Sequence, residues 1–216
     1  MIGQMLQILE KTYPLKELSI GAYARQKISG MTFLIRRFRA DGLGYVSVMT
    51  ASGFLGLMKM DTLIITPTDV DMPLLSYDRV HAMGNDTLIF ELYDTLLGET
   101  DLTSLDKINE YAKALPDHDL GVHWYDSIKL EQSLSKRGRK SQTAAFNEVA
   151  GKYFTAFLDA AKAACSSDPD LKREKTAVYV DGLLTHGGPS TDVFQKGIGK
   201  EETADLFHRV LFSTVE

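Results

Sequence analysis

The sequence predicts an α+β fold in which one antiparallel sheet carries helices on its faces. Residues 31–97 form a series of short segments rich in β-branched and aromatic residues, separated by turn residues, whereas the chain after Leu97 follows helical periodicity. Strands first and helices afterwards are typical of α+β domains. Without an internal repeat or a break in composition, we expect a single domain over residues 1–216, with the sheet mainly at 31–95 and helices mainly at 103–116 and 143–213.

A short helix over residues 3–11 precedes the predicted sheet. Five or six strands are expected, from MTFLIRRFRA, GYVSVMTA, FLGLMKM, TLIITP, LLSYDRVHAM and TLIFELYDTLL. Turn signals stand at Asp41-Gly42, Ser52-Gly53, Pro67 to Asp71 and Gly84-Asn85-Asp86. Tight turns between short strands favour an antiparallel meander.

Four further helices are predicted after the strands. Thr103 to Asp106 has the T-x-x-D pattern of a capping box, and that helix ends by Pro116. After a polar, irregular stretch from Asp117 to Ser141, residues 143–165 have the strongest helical pattern of the chain. The next helix runs from about Pro169 to Thr185 and stops at Gly187-Gly188-Pro189, and the last covers about 200–212.

Composition excludes several classes of function. Cys165 is the only cysteine and is expected to be a small buried residue at a helix end, so disulfide frameworks, thiolate zinc sites and cysteine-ligated iron–sulfur clusters are excluded. Lys+Arg 24 against Asp+Glu 29 gives a net charge of −5, which disfavours a nucleic-acid partner. No apolar run is long enough for a membrane span. We expect a cytoplasmic protein, or a plastid stromal one if the chain is a mature, processed form.

The common cofactor motifs are missing from the chain. It has no phosphate-binding P-loop, no dinucleotide fingerprint, no nucleophile elbow and no H-E-x-x-H zinc motif. His118 and His123, close to several aspartates, are the nearest approach to a metal site, but their spacing favours a solvated polar loop. No residue pattern therefore identifies a metal or cofactor site.

Two basic clusters stand out on this acidic chain. Arg37 and Arg39 share one face of a strand, where paired guanidinium groups are able to hold the carboxylates of an anionic ligand. A second cluster lies in a predicted loop before the long helix and is suited to docking an acidic partner; its members are Lys136, Arg137, Arg139 and Lys140. The alternative for both clusters is a solvated charged edge that protects the sheet from aggregation.

Two aspartates lie within apolar strand segments. Asp78 falls inside MPLLSYDRVHAM, and Asp94 falls inside LIFELYDTLL. Burial in a cleft raises the pKa of a carboxyl group towards neutrality and makes it a usable proton donor. The alternative is that each is a strand-end aspartate bonded to a turn amide.

Three segments of the chain resemble the ferredoxin-dependent bilin reductases, whose distant plant relative is red chlorophyll catabolite reductase. TLIITPTDVDMPLLSYDRV (62–80) is similar to the family's strand, proline and loop leading to P-[LMI]-[FL]-G-x-D. TLIFELYD (87–94) resembles the next strand, and VFQKGIGKEETADLFHRVLF (193–212) resembles the family's C-terminal helices. The resemblance covers roughly residues 40–95 and 170–216.

The resemblance implies an α/β/α sandwich that holds a linear tetrapyrrole between the sheet and the C-terminal helices. Electrons would come one at a time from an acidic ferredoxin, and the protein would supply protons without a metal or flavin of its own. Asp78 matches the family's proton-donating aspartate, and Ser76 stands where its motif has glycine. The family's histidine falls at about Thr62 and its glutamate near Thr50, and neither threonine exchanges protons at neutral pH.

Three functional hypotheses follow from these residues. The first is a reductase in which Asp78 donates protons and residues 136–140 dock ferredoxin. The residues that would bind its ligand are Arg37, Arg39, Thr62, Ser76 and Asp94. The second is a non-catalytic tetrapyrrole-binding protein on the same fold, favoured by the two threonines. The third is an interaction protein whose pocket is filled by its own side chains.

Overall fold

Eight antiparallel strands form one sheet in the computed structural model, which describes residues 1–53, 56–188 and 190–215. The strands are β1 Leu15–Leu18, β2 Arg25–Ile28, β3 Met31–Ala40, β4 Gly44–Gly53, β5 Met58–Pro67, β6 Leu74–Ala82, β7 Asn85–Tyr93 and β8 Leu134–Arg139. Their order is β1-β3-β4-β5-β6-β7-β8, and β2 also pairs with β3, beside β1. The predicted meander is therefore confirmed for β3 to β7, which pair in chain order.

Six helices accompany the sheet in the described residues. They are α1 Ile2–Glu10, α2 Thr103–Ala112, α3 Thr143–Ala163, α4 Pro169–His186, α5 Thr191–Ile198 and α6 Lys200–Asp205, and α6 continues as a π-helical segment over Leu206–Leu211. None of the helices in these ranges combines the length and apolar character that crossing a bilayer requires.

Both faces of the sheet are covered, which explains why its strands are apolar on both sides. On the first face, α1, α2 and α3 pack against one set of alternating residues; Tyr77 and Phe90 contact Tyr153 of α3 through an aromatic chain. On the second face, α4, α5 and the π-helical segment pack against the opposite set, including Phe33 and Tyr93. The expected α+β sandwich with an antiparallel sheet is confirmed.

The N-terminal turn of α4 is fixed to two loops by a buried ammonium group. Lys172 is fully buried, and its Nζ donates to the carbonyl oxygens of Met72 and Thr95, at 2.7 Å each, and to Oδ1 of Asp71 at 3.2 Å. Desolvation lowers the pKa of Lys172, and the Asp71 carboxylate opposes that effect. These contacts connect α4 to the segments that follow β5 and β7.

The structure corrects several details of the predicted fold. The region 136–140 is not a loop, because residues up to Arg139 form β8 and Lys140 begins a short 3₁₀ turn. Strands β1 and β2 were also missed, since each has only four residues and no apolar alternation. The prediction of a turn at Ser52-Gly53 is wrong, because both residues belong to β4. Phe54 and Leu55 of the predicted FLGLMKM strand, and Pro189 of the predicted helix stop, lie outside the described ranges.

Two end positions also differ from the prediction. Thr103 is the first residue of α2 and not its cap: Asp101 Oδ1 accepts hydrogen bonds from the Thr103 amide and hydroxyl. Cys165 follows α3 as predicted but is exposed, because the chain leaves the helix there and runs over the surface.

Candidate functional site

A cleft between the sheet and the helices α4 and α5 contains the polar side chains of the second face. Strand alternation places them there: in β6, Leu75 and Tyr77 point to the first core, so Ser76 and Asp78 point the opposite way. The same alternation directs Glu91 and Tyr93 of β7, and Thr62 of β5, to the cleft. These five residues form its floor.

Asp78 is held at the centre of this floor. Thr62 is its direct partner across β5 and β6, and the Thr62 hydroxyl donates to Oδ1 of Asp78 at 2.5 Å. Burial raises the pKa of Asp78 to about 6, the hydrogen bond from Thr62 lowers it, and the negative charge of Glu91 raises it. The carboxyl group therefore exchanges its proton close to neutral pH.

Glu91 is the second carboxylate of the floor. It lies on the strand next to Asp78, opposite Ser76, and is only 7% exposed. The Tyr93 hydroxyl donates to Oε2 of Glu91 at 2.7 Å, and Lys129 Nζ lies 3.8 Å from Oε1. Two carboxyl groups on adjacent strands thus face one partly desolvated space.

The cleft comprises two adjoining cavities. The larger one, called here the main cavity, has a volume of about 210 Å³ and is bounded by Asp78, Glu91 and mostly apolar side chains, including Met31, Phe33, Met60, Val80 and Phe194. The smaller one, the inner cavity, has a volume of about 70 Å³ and lies over Thr62, Ser76 and Asp78, beneath Phe212. The site is therefore an apolar slot with an acidic floor.

Aromatic side chains close the inner end of the slot. Tyr179 of α4 stacks on Tyr93 with ring centroids 4.2 Å apart, and Tyr125 meets Tyr93 edge-on. His123 stacks on Tyr125 at 4.9 Å and lines the main cavity, where its Nδ1 is buried without a hydrogen-bond partner. Burial raises the pKa of Tyr93 and Tyr179 well above the ordinary tyrosine value, so both remain neutral phenols.

The structure does not bring Arg37 and Arg39 to the cleft. They share one face of β3 as predicted, but the cleft is lined by Met31 and Phe33 of that strand, and the two arginines lie four and six residues beyond Phe33. Arg39 Nη2 is bound to Asp69 at 2.6 Å, and Arg37 Nε donates to Ser213 Oγ at 3.0 Å. Arg37 instead lines a separate cavity near Arg209.

Asp94 also lies outside the cleft. It follows the last residue of β7, is exposed, and accepts a hydrogen bond from the amide of Leu96, so the turn interpretation of this residue is correct. Asp94 does not line the cleft, because the chain turns away from the sheet directly after Tyr93.

The second basic cluster is divided by strand alternation. Lys136 points to the first face, is buried, and pairs with Asp117 at 2.5 Å, so it is not available for docking a partner. Arg137 and Arg139 alternate to the other side and are exposed, and Lys140 is exposed just beyond the strand. Two positive side chains therefore remain exposed on β8, which pairs with β7 of the cleft floor, and a third follows the strand.

Glu91, Tyr93, His123 and Tyr179 are site residues that sequence reasoning missed. Period-two alternation gives the signal for Glu91 and Tyr93, because Phe90 and Leu92 are core residues of the opposite face. Nothing local marks His123 or Tyr179, which reach the cleft from a 3₁₀ turn and from α4. In the described residues, no three histidine, cysteine, aspartate or glutamate side chains converge as a metal site.

Comparison with known proteins shows that the chain resembles a solved structure in its fold. No protein-family model matches the chain, and no curated protein matches it. The crystal structure of phytochromobilin synthase from tomato, in complex with biliverdin, matches with a TM-score of 0.80 and 13% sequence identity. The match covers 99% of this chain and 82% of that chain. The chain therefore has the fold of phytochromobilin synthase.

Proposed function

We propose that the protein binds a linear tetrapyrrole in the cleft and reduces it by alternating electron and proton transfers. The observation that carries the proposal is the position of Asp78: a carboxyl group that exchanges its proton near neutral pH, on the floor of an apolar slot. The fold shared with a biliverdin-binding structure supports the same ligand class.

The apolar walls of the slot suit the conjugated rings of a tetrapyrrole, and its polar floor suits the pyrrole N–H groups. Flat conjugated rings pack well against methionine and aromatic side chains, which Met31, Met60 and Phe33 provide. Pyrrole N–H groups need acceptors, which the carboxyl groups of Asp78 and Glu91 provide, and Thr62 and Ser76 offer hydroxyl groups beside them.

The cleft is smaller than the pockets that usually hold ligands of drug size. Pockets for ligands of drug size have volumes of about 300–1,000 Å³. The main and inner cavities, at about 210 and 70 Å³, are smaller. A tetrapyrrole therefore enters only if the covering segments move away from the sheet.

In the proposed reaction the ligand is itself the redox group, and the protein binds no cofactor. One electron comes from a reduced ferredoxin-type donor, and Asp78 transfers its proton to the ligand radical anion, leaving a neutral radical and a carboxylate. A second electron and a second proton complete the reduction. An acidic donor would dock against Arg137, Arg139 and Lys140, at the edge of the cleft.

A non-catalytic tetrapyrrole-binding protein is the second candidate function. Its support is the side chain next to Asp78: Thr62 contributes a hydroxyl group that does not exchange protons at neutral pH. In that case Asp78 and Glu91 would act as hydrogen-bond acceptors alone.

The experiment is anaerobic addition of reduced ferredoxin to the protein mixed with biliverdin, followed by visible spectroscopy. We expect loss of the biliverdin band and formation of a reduced bilin, with a known bilin reductase as positive control. A coloured complex whose spectrum is unchanged by the reductant would indicate the binding protein. If no bilin or porphyrin raises the melting temperature, the interaction hypothesis is favoured, because ligand at about 100 times Kd stabilises by roughly 2.7 kcal/mol.

Replacement of Asp78 tests the mechanism directly. Asp78→Asn should bind biliverdin and accept the first electron but accumulate a radical, because the amide has no acidic proton to donate. Turnover equal to wild type would remove Asp78 from the reaction.

A further inference from the structure

Glu91 lies between the cleft and a third cavity, which opens to the surface. This side cavity has a volume of about 260 Å³ and lies beside the β7–β8 edge. Polar groups provide much of its lining, including His118, Asp119, Lys129, Ser133 and Ser135. Because Glu91 also lines the main and inner cavities, its carboxyl group stands between solvent and the site of Asp78.

The contacts of Glu91 leave one of its oxygens without a hydrogen bond. Oε2 accepts from the Tyr93 hydroxyl, whereas Oε1 is buried and accepts no hydrogen bond, with Lys129 Nζ 3.8 Å away. A buried acceptor of this kind normally finds a protein or water partner. Oε1 is thus the oxygen of Glu91 that is not committed to another hydrogen bond and on which a relayed proton would be carried.

Asp78 and Glu91 are close enough on adjacent strands for a proton relay. Asp78 pairs with Ile89 and Ser76 pairs with Glu91, so Asp78 and Glu91 are diagonal neighbours on adjacent strands, about 7–8 Å apart between Cα atoms. Both side chains line the main and inner cavities, so one water between the two carboxyl groups would connect them. The effect of the Glu91 charge on the pKa of Asp78 is consistent with this proximity.

Reduction of a bound ligand needs such a route. A two-electron reduction consumes two protons, while Asp78 holds one. A ligand lying on the floor covers Asp78 from the main cavity, so the second proton must come from another side. The side cavity provides that route, because it meets Glu91 from outside the cleft.

We propose that Glu91 relays protons from the side cavity to Asp78 between the first and second electron transfers. The proposal rests on the proposed reductase function. After the first transfer, the Glu91 carboxylate takes a proton from water in the side cavity and passes it to the Asp78 carboxylate. The ligand gains two electrons from the ferredoxin-type donor and two protons through Asp78, and a second relayed proton returns Asp78 to its protonated starting state.

Several titratable groups face Glu91 and would contribute to any pH profile. They are Asp78 on β6, Tyr93 on β7, Tyr179 on α4, and His123, Tyr125 and Lys129 in and beside the 3₁₀ turn. The test therefore relies on separating the two proton transfers rather than on a pH profile alone.

The test is single-turnover reduction of the bilin complex by Glu91→Gln, observed by stopped-flow spectroscopy. The glutamine carbonyl keeps the acceptor for Tyr93 but cannot carry a proton. We expect the second transfer to slow by about 100-fold more than the first, the size of a general acid–base contribution. Bilin affinity and the rate of the first transfer are measured alongside, because Glu91 also faces the ligand and its charge acts on Asp78. Glu131→Gln, which removes an exposed carboxylate outside the cleft, is the matched control and should behave as wild type.

Chemical rescue separates a relay from a structural role. In Glu91→Ala the side cavity and the cleft should become continuous, so formate or acetate should restore the second transfer, while chloride at equal ionic strength should not. Equal second-transfer rates in wild type and Glu91→Gln, or no rescue of a folded Glu91→Ala, would overturn the relay and leave the proposed function intact. Absence of turnover by the wild-type protein would overturn both.

Discussion

The Thr62 hydroxyl donates a 2.5 Å hydrogen bond to Asp78 across two adjacent antiparallel strands. This bond opposes the effect of burial, which is the largest influence on the Asp78 carboxyl group, and the resulting pKa is about 6. Without the hydroxyl the carboxyl group would hold its proton more tightly. Thr62 therefore adjusts the acidity of Asp78 even though it exchanges no proton itself.

Replacing Thr62 by valine should raise the pKa of Asp78 above 6. Valine keeps the β-branched shape of threonine but removes the donor that stabilises the carboxylate. If Asp78 is the proton donor, bilin reduction slows as pH rises through its pKa, and in Thr62→Val this decline should move to higher pH. Thr62→Ser, which retains a hydroxyl, should keep the wild-type profile. Identical profiles for all three proteins would contradict the coupling.

Asp78 should also make the stability of the free protein depend on pH. Its pKa rises on folding, from an ordinary value of 3.8 to about 6, so the native state binds more protons than the unfolded state between these values. The stabilising contribution is therefore complete below about pH 4 and is lost as pH rises through 6. At about 1.4 kcal/mol per pKa unit, the loss is at most about 3 kcal/mol.

Denaturant unfolding of wild type and Asp78→Asn at pH 4 and pH 7 checks this prediction. Asparagine does not titrate, so the free energy of unfolding of Asp78→Asn relative to wild type should increase between the two pH values. A difference that stays constant would show that Asp78 does not change its proton binding on folding.

Reversing charge at the outer strand should weaken the donor interaction alone. Arg137→Glu combined with Arg139→Glu should raise the KM for ferredoxin and reduce its dependence on salt, because exposed charges steer an acidic partner. Bilin affinity should not change, since neither arginine lines the cleft. Lys16→Glu, on β1 at the opposite edge of the sheet, is the control. An equal effect of both replacements would indicate a general charge effect rather than a docking surface.

Lys172→Met should destabilise the protein by about 3 kcal/mol. The substitution keeps most of the side-chain volume but leaves the carbonyl oxygens of Met72 and Thr95 without their buried donor. Guanidinium unfolding measures the loss. Lys162→Met, an exposed lysine on α3, should change stability by less than about 0.5 kcal/mol. Comparable values for the two variants would show that the buried ammonium contributes little.

The long elements of the fold were predictable because their periodicity reflects burial. Strands β3 to β7 and helix α3 each present a repeating apolar face, and the structure buries those faces. Strand β8 was not predictable in this way: Lys136 and Arg139 suggest a solvated loop, yet Lys136 is buried against Asp117. Its pairing with β7 is formed by backbone groups, which leave no pattern in side-chain type.

The candidate site was predictable only where one strand determined it. Alternation around Asp78 is local, so its orientation towards a cleft followed from β6 alone. The positions of Arg37 and Arg39 depend on strand order, and the ring of Tyr179 depends on how α4 crosses the sheet. Such relationships connect residues far apart in sequence, and no local pattern encodes them.

The two ends of α4 and the two ends of α5 are held in different ways. Lys172 anchors the beginning of α4, and at its end the Trp124 ring packs on Gly182 while Trp124 Nε1 donates to the Gly187 carbonyl at 2.9 Å. Helix α5 instead lies between Gly187 and Gly199, both with positive φ, and its Val193 and Phe194 cover the main cavity. The roof of the cleft thus consists of α4, which is anchored at both ends, and the short helix α5, which has a glycine of positive φ on each side. In the proposed function, these eight residues are therefore the part of the roof whose displacement would enlarge the main cavity.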